Sequence, residues 1–188
     1  MKMTRLLLCL PLLLALPALH AASAVATFAG GCFWCSESDF EKLKGVQTVV
    51  SGYIGGRTVS PTYEEVSAGA SGHTEAVQIS YDPAVISYGQ LLTWFWQHHD
   101  PFDGGGQFCD RGSQYRPAIF THDAAQAAAA KASRDRLAAR MKRAVATEIA
   151  PAGPFYAAED YHQDYYRKND LRYRYYRLSC GRDARIKA

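Results

Sequence analysis

The segment Ala24-Val-Ala-Thr-Phe-Ala-Gly-Gly-Cys-Phe-Trp-Cys35 carries the main structural signal of the chain. Its first six residues form a short apolar run, which predicts a buried strand, and the glycine pair ends that strand. Apolar residues then follow at roughly helical spacing up to Leu43, and Gly45 predicts the end of a helix. The segment therefore predicts a strand, a tight glycine turn and a helix whose first turn carries two cysteines.

Further strands and helices are expected outward from this segment. Strands are predicted over residues 46–54, 73–81, 118–120 and 147–149, and helices over about 87–98, 123–143 and 160–168. Residues 100–117 contain four Gly, two Pro and almost no periodicity, and a loop of that length in a compact domain is usually functional. This order predicts an α+β fold, a mixed β-sheet with helices packed against it in a two-layer, ferredoxin-like sandwich with a long C-terminal coil.

Composition narrows the class of protein. Among 188 residues, 21 Lys and Arg and 18 Asp and Glu leave a net charge of +3, too little for a protein that binds nucleic acid by neutralising many phosphates. With 48% hydrophobic and 21% charged residues, the chain is typical of globular proteins. Five cysteines in 188 residues are below the density of a small disulfide-stabilised scaffold, so cysteine chemistry is favoured over structural cross-linking.

The N-terminal segment has the pattern of a secretory signal peptide. Lys2 and Arg5 precede a leucine-rich run, and Ala22-Ser-Ala24 has the small residues typical of a cleavage site. The run is about 14 residues long, shorter than the roughly 20 needed to span a bilayer, so a cleaved leader is preferred to a permanent membrane anchor. We expect residues 1–24 to be removed and residues 25–188 to form one exported domain, most simply in a bacterial periplasm and without stable membrane insertion.

Cys32 is placed where a cysteine becomes reactive. At the first turn of a helix its sulfur would lie near unpaired backbone N–H groups and the positive end of the helix dipole. Both effects favour the thiolate, which predicts a nucleophile at neutral pH. Cys35 follows one turn later, within reach of Cys32 for a disulfide or a shared metal ion.

Other interpretations of the cysteine pair remain open from the residues alone. A strand followed by Cys-x-x-Cys and a helix also fits a thioredoxin-class dithiol-disulfide oxidoreductase using Cys32 and Cys35. A redox- or metal-sensing binding module is a non-enzymatic alternative, and a zinc site in it would need two further ligands. The chain offers Cys109, Cys180, His73, His98 and His99 for that purpose. Both cysteines could also be buried and inert.

The chain resembles the A-type peptide methionine sulfoxide reductases, which act on the S epimer. The resemblance starts at Gly31-Cys-Phe-Trp34 and continues downstream in the order of the family. The matching segments are Gly52-Tyr-Ile-Gly-Gly56, Pro61-Thr-Tyr-Glu-Glu-Val66, Gly72-His-Thr-Glu-Ala76, Tyr81-Asp-Pro83, residues 95–101, residues 105–116 and residues 158–164. They cover nearly all of the chain after the leader, which makes the resemblance specific.

The resemblance implies an enzyme that reduces methionine S-sulfoxide, free or within oxidised proteins, to methionine. Cys32 would attack the sulfoxide sulfur, while Phe33 and Trp34 would line an apolar pocket for the methyl group of the substrate. No cofactor and no metal ion are implied, because the electrons come from cysteines. We expect a monomer.

A proton donor is the second requirement of this chemistry, because the sulfoxide oxygen is a poor leaving group. The resemblance assigns that role to Glu75, adds the hydroxyls of Tyr63 and Tyr115 to the same oxygen and places Asp110 close by. A carboxyl group in an aromatic pocket has its pKa raised toward this task. By residue type alone a glutamate in a strand faces solvent more often than not, so the assignment depends on the joint match.

Attack by Cys32 leaves a sulfenic acid, which a second thiol converts to a disulfide. The family varies at this step, and many members carry Gly at the position of Cys35. We rank the resolving candidates as Cys180, on a potentially mobile tail, then Cys35, then Cys109. A thioredoxin or thioredoxin-like dithiol would reduce the final disulfide.

The C-terminal segment is rich in tyrosine and arginine. Residues 156–176 hold seven of the twelve tyrosines, interleaved with basic residues. Such a pattern suits a single-stranded nucleic-acid platform or a segment that wraps the core with its arginines outside. The near-neutral charge favours the second, so no nucleic-acid partner is expected.

Overall fold

The computed structural model describes residues 23–187, so residues 1–22 of the predicted signal peptide lie outside it. The strands are β1 (Ala24–Ala29), β2 (Val46–Ile54), β3 (Thr74–Tyr81), β4 (Gly106–Gln107), β5 (Asp110–Arg111), β6 (Ala118–Thr121), β7 (Glu148–Pro151) and β8 (Tyr156–Ala157). The helices are α1 (Phe33–Phe40), α2 (Tyr63–Ser67), α3 (Tyr88–Gln97), α4 (Ala124–Met141), α5 (Tyr165–Lys168), α6 (Asp170–Ser179) and α7 (Arg182–Lys187).

Six of these strands form a mixed sheet in the order β7-β6-β1-β3-β2-β8. The pairs within it are antiparallel, except that β6 and β7 run parallel. Strand β1 lies inside the sheet between β3 and β6, which explains why its sequence is apolar on both faces. The predicted α+β class is confirmed by this mixed sheet and its helices.

The two faces of the sheet are covered differently. Successive side chains of a strand point to opposite faces, so odd and even positions separate into two cores. The larger core joins the helix-side strand residues Phe28, Tyr53, Val77 and Ile119 to side chains of α1 and α3, and the smaller core contains Ala29, Ile54, Ala76 and Ala118. Glu75 shares its alternation with Val77, and it therefore lies on the helix-covered face of β3.

Two regions differ from the sequence-based expectation. The loop over residues 100–117 contains the β4–β5 ribbon and a 3-10 turn at Ser113–Tyr115. The long C-terminal coil was a wrong prediction, because α6 and α7 occupy that region. Helix α6 buries Tyr173 but exposes Leu171 and Leu178, so its apolar residues do not follow a readable single stripe.

No helix within residues 23–187 combines the length and the apolar character needed to cross a bilayer.

Candidate active site

A glycine turn places Cys32 at the beginning of α1. Cys32 is the N-cap residue of the helix and is 6% exposed. The preceding Gly31 has φ +81°, and a Cβ there would lie 2.5 Å from Cβ of Gln107. Only glycine combines this backbone conformation with so close an approach. The turn therefore packs directly against the long loop that follows α3.

Glu75 reaches the same helix start from the neighbouring strand. Its Oε2 accepts a hydrogen bond from the Phe33 amide at 3.0 Å, and the residue is 2% exposed. Burial raises the pKa of Glu75 to about 8, and the negative charges of Asp110 and Cys35 act in the same direction. At neutral pH the carboxyl group therefore carries a proton that it can donate.

The protonation of Cys32 differs from the sequence-based expectation. Burial raises the pKa of Cys32, and the neighbouring Cys35, Glu75 and Asp110 raise it further. The Phe33 N–H, which was expected to favour the thiolate, is bonded to Glu75 instead. The predicted thiolate at neutral pH is therefore wrong for the protein without substrate, in which Cys32 is a thiol.

Cys35 has the opposite tendency. A hydrogen bond from Cys32 lowers the pKa of Cys35, and the positive charges of Arg182 and Arg177 lower it further against the effect of burial. The side chain is 1% exposed and packs among aromatic residues that include Tyr165 and Tyr173. The second cysteine of the pair is therefore the more acidic thiol.

The remaining predicted catalytic groups surround this pair. Tyr63 begins α2, Tyr115 ends the 3-10 turn and Asp110 begins β5. Burial raises the pKa of both tyrosines, and the charges of Glu75 and Cys32 raise it further. Asp110 in turn acts electrostatically on Cys32. The structure thus brings the five predicted residues into one electrostatic cluster in which both tyrosines keep their protons.

Phe33 and Trp34 lie on either side of the helix start. Phe33 is 1% exposed, within the larger core. Trp34 is half-buried and stacks on Tyr165 with ring centroids 3.7 Å apart. Its Nε1 donates to Nδ1 of His162 at 3.0 Å, which makes Nε2 the protonated nitrogen of that neutral imidazole. These contacts fix the orientation of the indole beside Cys32.

The other two cysteines within residues 23–187 form a separate pair. Cys109 and Cys180 are joined by a disulfide, with their Cα atoms 4.9 Å apart and 71 residues between them in sequence. Cys109 is exposed, while Cys180 is half-buried at the end of α6. The tail cysteine ranked first as the resolving thiol is therefore bonded to the one ranked third, and Cys35 is the thiol beside Cys32.

The C-terminal helices supply site residues that the sequence analysis missed. The Tyr176 hydroxyl donates to Oδ2 of Asp110 at 2.5 Å, and its ring meets the edge of Trp34. Arg177 pairs with the buried Asp39 at 2.9 Å, and Arg182 is 2% exposed. The expectation that the arginines of the tyrosine-rich segment lie outside is wrong for Arg177, and Arg182 carried no expectation. No local pattern could have found them, because their partners lie far away in the sequence.

A zinc site around Cys32 and Cys35 does not assemble. Among residues 23–187 the one cluster of three metal-type ligands is Cys109, Asp110 and Cys180, within 4.8 Å of one another. Two of those ligands are joined in the disulfide. The candidate histidines have other partners, and both ring nitrogens of His99, for example, are bonded within the protein.

A buried thiol pair beside a protonated carboxyl group, with a second cysteine pair nearby of which one member is exposed, defines a thiol-based oxidoreductase. The family model described as "Peptide methionine sulfoxide reductase" matches residues 24–188. A peptide methionine sulfoxide reductase MsrA from Listeria monocytogenes is 52% identical over 165 residues, which cover 87% of this chain and 93% of that protein.

Solved structures agree with this match. Methionine sulfoxide reductase A of Corynebacterium diphtheriae superposes with a TM-score of 0.72 at 36% identity, over 79% of this chain and 76% of that one. Mxr1 from Saccharomyces cerevisiae, in complex with Trx2, superposes with a TM-score of 0.55 at 26% identity, over 76% and 84% of the two chains. The chain belongs to the peptide methionine sulfoxide reductase family and is an oxidoreductase of the A type.

Proposed function

We propose that Cys32 reduces methionine S-sulfoxide with Glu75 as the proton donor. The observation that carries this assignment is the buried Glu75 carboxyl group, protonated at neutral pH and bonded to the amide next to Cys32. The Cys32 thiolate attacks the sulfoxide sulfur while Glu75 protonates its oxygen. The oxygen then passes to Cys32, which leaves a sulfenic acid, a Glu75 carboxylate and free methionine.

The tyrosines fit a binding role in this step. Tyr63 and Tyr115 keep their hydroxyl protons because burial raises their pKa. Two neutral hydroxyl donors beside a carboxyl group suit an oxygen on which negative charge develops as the S–O bond weakens. The Cys32 thiol has to lose its proton as it attacks, and Cys35, whose pKa is lowered beside it, is the group that accepts this proton.

We propose that Cys35 resolves the sulfenic acid. Cys35 is buried with Cys32 and the two thiols shift each other's pKa, whereas Cys180 is already bonded to Cys109. The Cys35 thiolate attacks the Cys32 sulfur, a disulfide forms and hydroxide leaves as water after protonation. This places Cys35 ahead of Cys180 for the first resolving step.

Electrons then have to reach a buried disulfide from outside. Cys32 and Cys35 are 6% and 1% exposed, so a partner protein cannot attack them directly, while Cys109 is exposed. Exchange of a reduced Cys109–Cys180 pair with a Cys32–Cys35 disulfide gives two free inner thiols and an outer disulfide. The structure has this combination of redox states.

A thioredoxin-class protein is the reductant that we propose for the outer disulfide. The complex between the yeast relative and Trx2 supports this choice for a related chain. The proposed substrates are methionine sulfoxide residues of oxidised proteins and free methionine sulfoxide. We also propose that the protein acts after export to a periplasm. Residues 1–24 support this, because a basic start is followed by an apolar run and then by small residues, as in a signal peptide.

A single-turnover assay tests the chemistry. The fully reduced protein is mixed with separate S and R epimers of a methionine sulfoxide peptide, beside a Cys32→Ser variant, and disulfides are mapped by mass spectrometry. We expect methionine from the S epimer alone, none from the variant, and a Cys32–Cys35 disulfide when Cys109 and Cys180 are replaced by Ser. No methionine from either epimer would refute the proposed reaction. N-terminal sequencing of the exported protein tests the leader.

A further inference from the structure

Arg182 lies in a buried polar site next to the glycine turn that carries Cys32. It begins α7, yet its side chain is buried. Its Nη1 donates to the Gly30 carbonyl at 3.2 Å and its Nη2 to the His98 carbonyl at 2.8 Å. Its Nε lies 3.6 Å from Oδ2 of Asp39. A buried charge costs free energy unless it is paired, so this set of partners explains how Arg182 is held.

These partners place the guanidinium alongside the chain segment that carries the two inner cysteines. Gly30 precedes Cys32 by two residues, and Asp39 lies one helical turn after Cys35 on the same face of α1. A group that contacts both Gly30 and Asp39 has to run alongside the turn that carries the cysteines.

A second arginine reinforces the positive charge. Arg177 pairs with Asp39 at 2.9 Å and donates to the Tyr173 hydroxyl at 2.9 Å. Tyr173 in turn packs against Cys35. Arg177 also bonds the exposed Asp183, whereas the polar contacts of Arg182 are all to main-chain carbonyls and the buried Asp39.

We propose that Arg182 is a positioning residue for the resolving step. It holds the turn that carries Cys32 and places a positive charge beside Cys35, which favours the thiolate that attacks the Cys32 sulfenic acid. In that step the S–S bond forms, the S–O bond breaks, and the hydroxide takes the proton that Cys35 has released. The proposal rests on the proposed function, in which Cys35 is the resolving thiol.

The outer disulfide contributes to this arrangement. Cys180 precedes Arg182 by two residues, and Gly181 between them has φ +66°, so the chain turns sharply into α7. The ring of Phe108, next to Cys109, lies under the Arg182 guanidinium at 4.7 Å. Phe108 and Gly181, which are the neighbours in sequence of the two disulfide cysteines, thus both adjoin Arg182.

The experiment separates the two chemical steps. Reduced Arg182→Met and Arg182→Lys variants are mixed with one equivalent of the S-sulfoxide peptide and quenched with dimedone at intervals. Mass spectrometry then counts the methionine formed and the sulfenic acid that remains. Arg185→Met is the matched control, because Arg185 also lies on α7 and pairs with Asp100 at 2.8 Å but is exposed.

We expect Arg182→Met to form methionine within about threefold of the wild-type rate while its sulfenic acid persists about tenfold longer, because loss of the buried positive charge lowers the thiolate fraction of Cys35. Arg182→Lys keeps the charge and should recover most of the resolution rate. Arg185→Met should change neither step. If Arg182→Met does not fold, Arg177→Met replaces it. Its sulfenic acid should persist about threefold longer than in the wild type, because Arg177 acts less strongly on Cys35 than Arg182 does.

Two results overturn the proposal. One is a wild-type sulfenic-acid lifetime in Arg182→Met, and the other is an equal loss of both steps in Arg182→Met and Arg182→Lys together with a lower melting temperature. A Cys35→Ser variant makes the failure of the proposed function distinguishable. If its sulfenic acid decays at the wild-type rate, Cys35 is not the resolving thiol, whatever Arg182 does.

Discussion

The two cysteine pairs of this protein lie in opposite environments. Cys32 and Cys35 are free thiols within the core, while Cys109 and Cys180 form a disulfide of which Cys109 is exposed. Burial lets neighbouring charges act strongly, so the inner pair and Glu75 have shifted protonation. Exposure lets a partner protein reach the outer pair. Sulfoxide reduction requires a buried thiol and exchange with a reductant requires an exposed one. One thiol cannot meet both requirements, and this protein uses two cysteine pairs instead.

The pairs also arise differently. The Cys-x-x-Cys spacing on one helix brings Cys32 and Cys35 together by local structure alone. Cys109 and Cys180 meet only because α6 packs back over the body of the protein, where Tyr176 bonds to Asp110 and Arg177 to Asp39. Asp110 connects the two regions, since its carboxyl group lies 3.7 Å from Sγ of Cys109 and also acts on Cys32.

The largest expected effect comes from removing the inner proton donor. Glu75→Gln should slow methionine formation about a hundredfold or more, because an amide has no proton to give. Cys32 should still react with iodoacetamide, and faster above pH 8, since the carboxylate that raises the pKa of Cys32 is gone. Single-turnover assays and alkylation rates measure both effects. Glu64→Gln, an exposed glutamate on α2, is the control, and an unchanged rate in Glu75→Gln would remove Glu75 from the mechanism.

Breaking the outer pair should stop recycling and spare the chemistry. Cys180→Ser should form about one methionine per enzyme in the first turnover. Its steady-state rate with thioredoxin should then be lower by about tenfold or more, because burial keeps the partner from reaching the inner disulfide. Peptide mapping should find the Cys32–Cys35 disulfide accumulated. Cys109→Ser should behave alike. Normal recycling of both variants would show that the partner reaches the inner pair directly.

The pH dependence sharpens the contrast between the pairs. The pKa of Glu75 is raised from its ordinary 4.5 to about 8, so the first-turnover rate should fall as the pH rises through about 8. For a carboxyl group raised in this way, the folded protein binds the proton more tightly than the unfolded chain does. The contribution of Glu75 to the free energy of unfolding therefore declines as the pH rises from 4.5 to about 8. Stopped-flow rates across this range measure the first effect, and a decline that persists in Glu75→Gln would assign it to another group.

The smallest expected effect concerns the hydroxyls. Tyr63→Phe and Tyr115→Phe should each lower kcat/KM about three- to tenfold, because each removes one hydrogen bond to the sulfoxide oxygen while the other donors remain. Steady-state kinetics with the S epimer measures the loss. Tyr175→Phe, on an exposed ring of α6, is the control. A double variant no slower than either single one would mean that only one hydroxyl reaches the oxygen.

Much of the site was predictable because its signals are local. The alternation of β3 places Glu75 on the face of Val77 and Ile79, and that face is covered by α1. A glutamate in a strand was expected in solvent by residue type alone. The parity of its neighbours was the signal for its burial, and the family resemblance supplied its role. The positions of Tyr63, Tyr115 and Asp110 could only be expected from that resemblance, since turns and short strands carry weak patterns.

The protonation of Cys32 shows the limit of local reasoning. A helix start predicts a thiolate, but burial and three acidic neighbours reverse that expectation. Two of those neighbours, Glu75 and Asp110, arrive from other parts of the chain. Electrostatics of a buried group depends on everything that surrounds it, and sequence spacing describes only its own helix.

The amino-acid sequence by itself determined the α+β class, the glycine turn with Cys32 at the start of α1, and the membership of the chain in its family. These features depend on periodicity, on glycine geometry and on motifs in a fixed order. Only the tertiary structure decided which cysteines pair, how the inner thiols are charged, and that Tyr176 and Arg182 return from the tail to brace the site. The physical reason is that these contacts join residues distant in the chain, and they exist only once the C-terminal helices have packed against the sheet and α1.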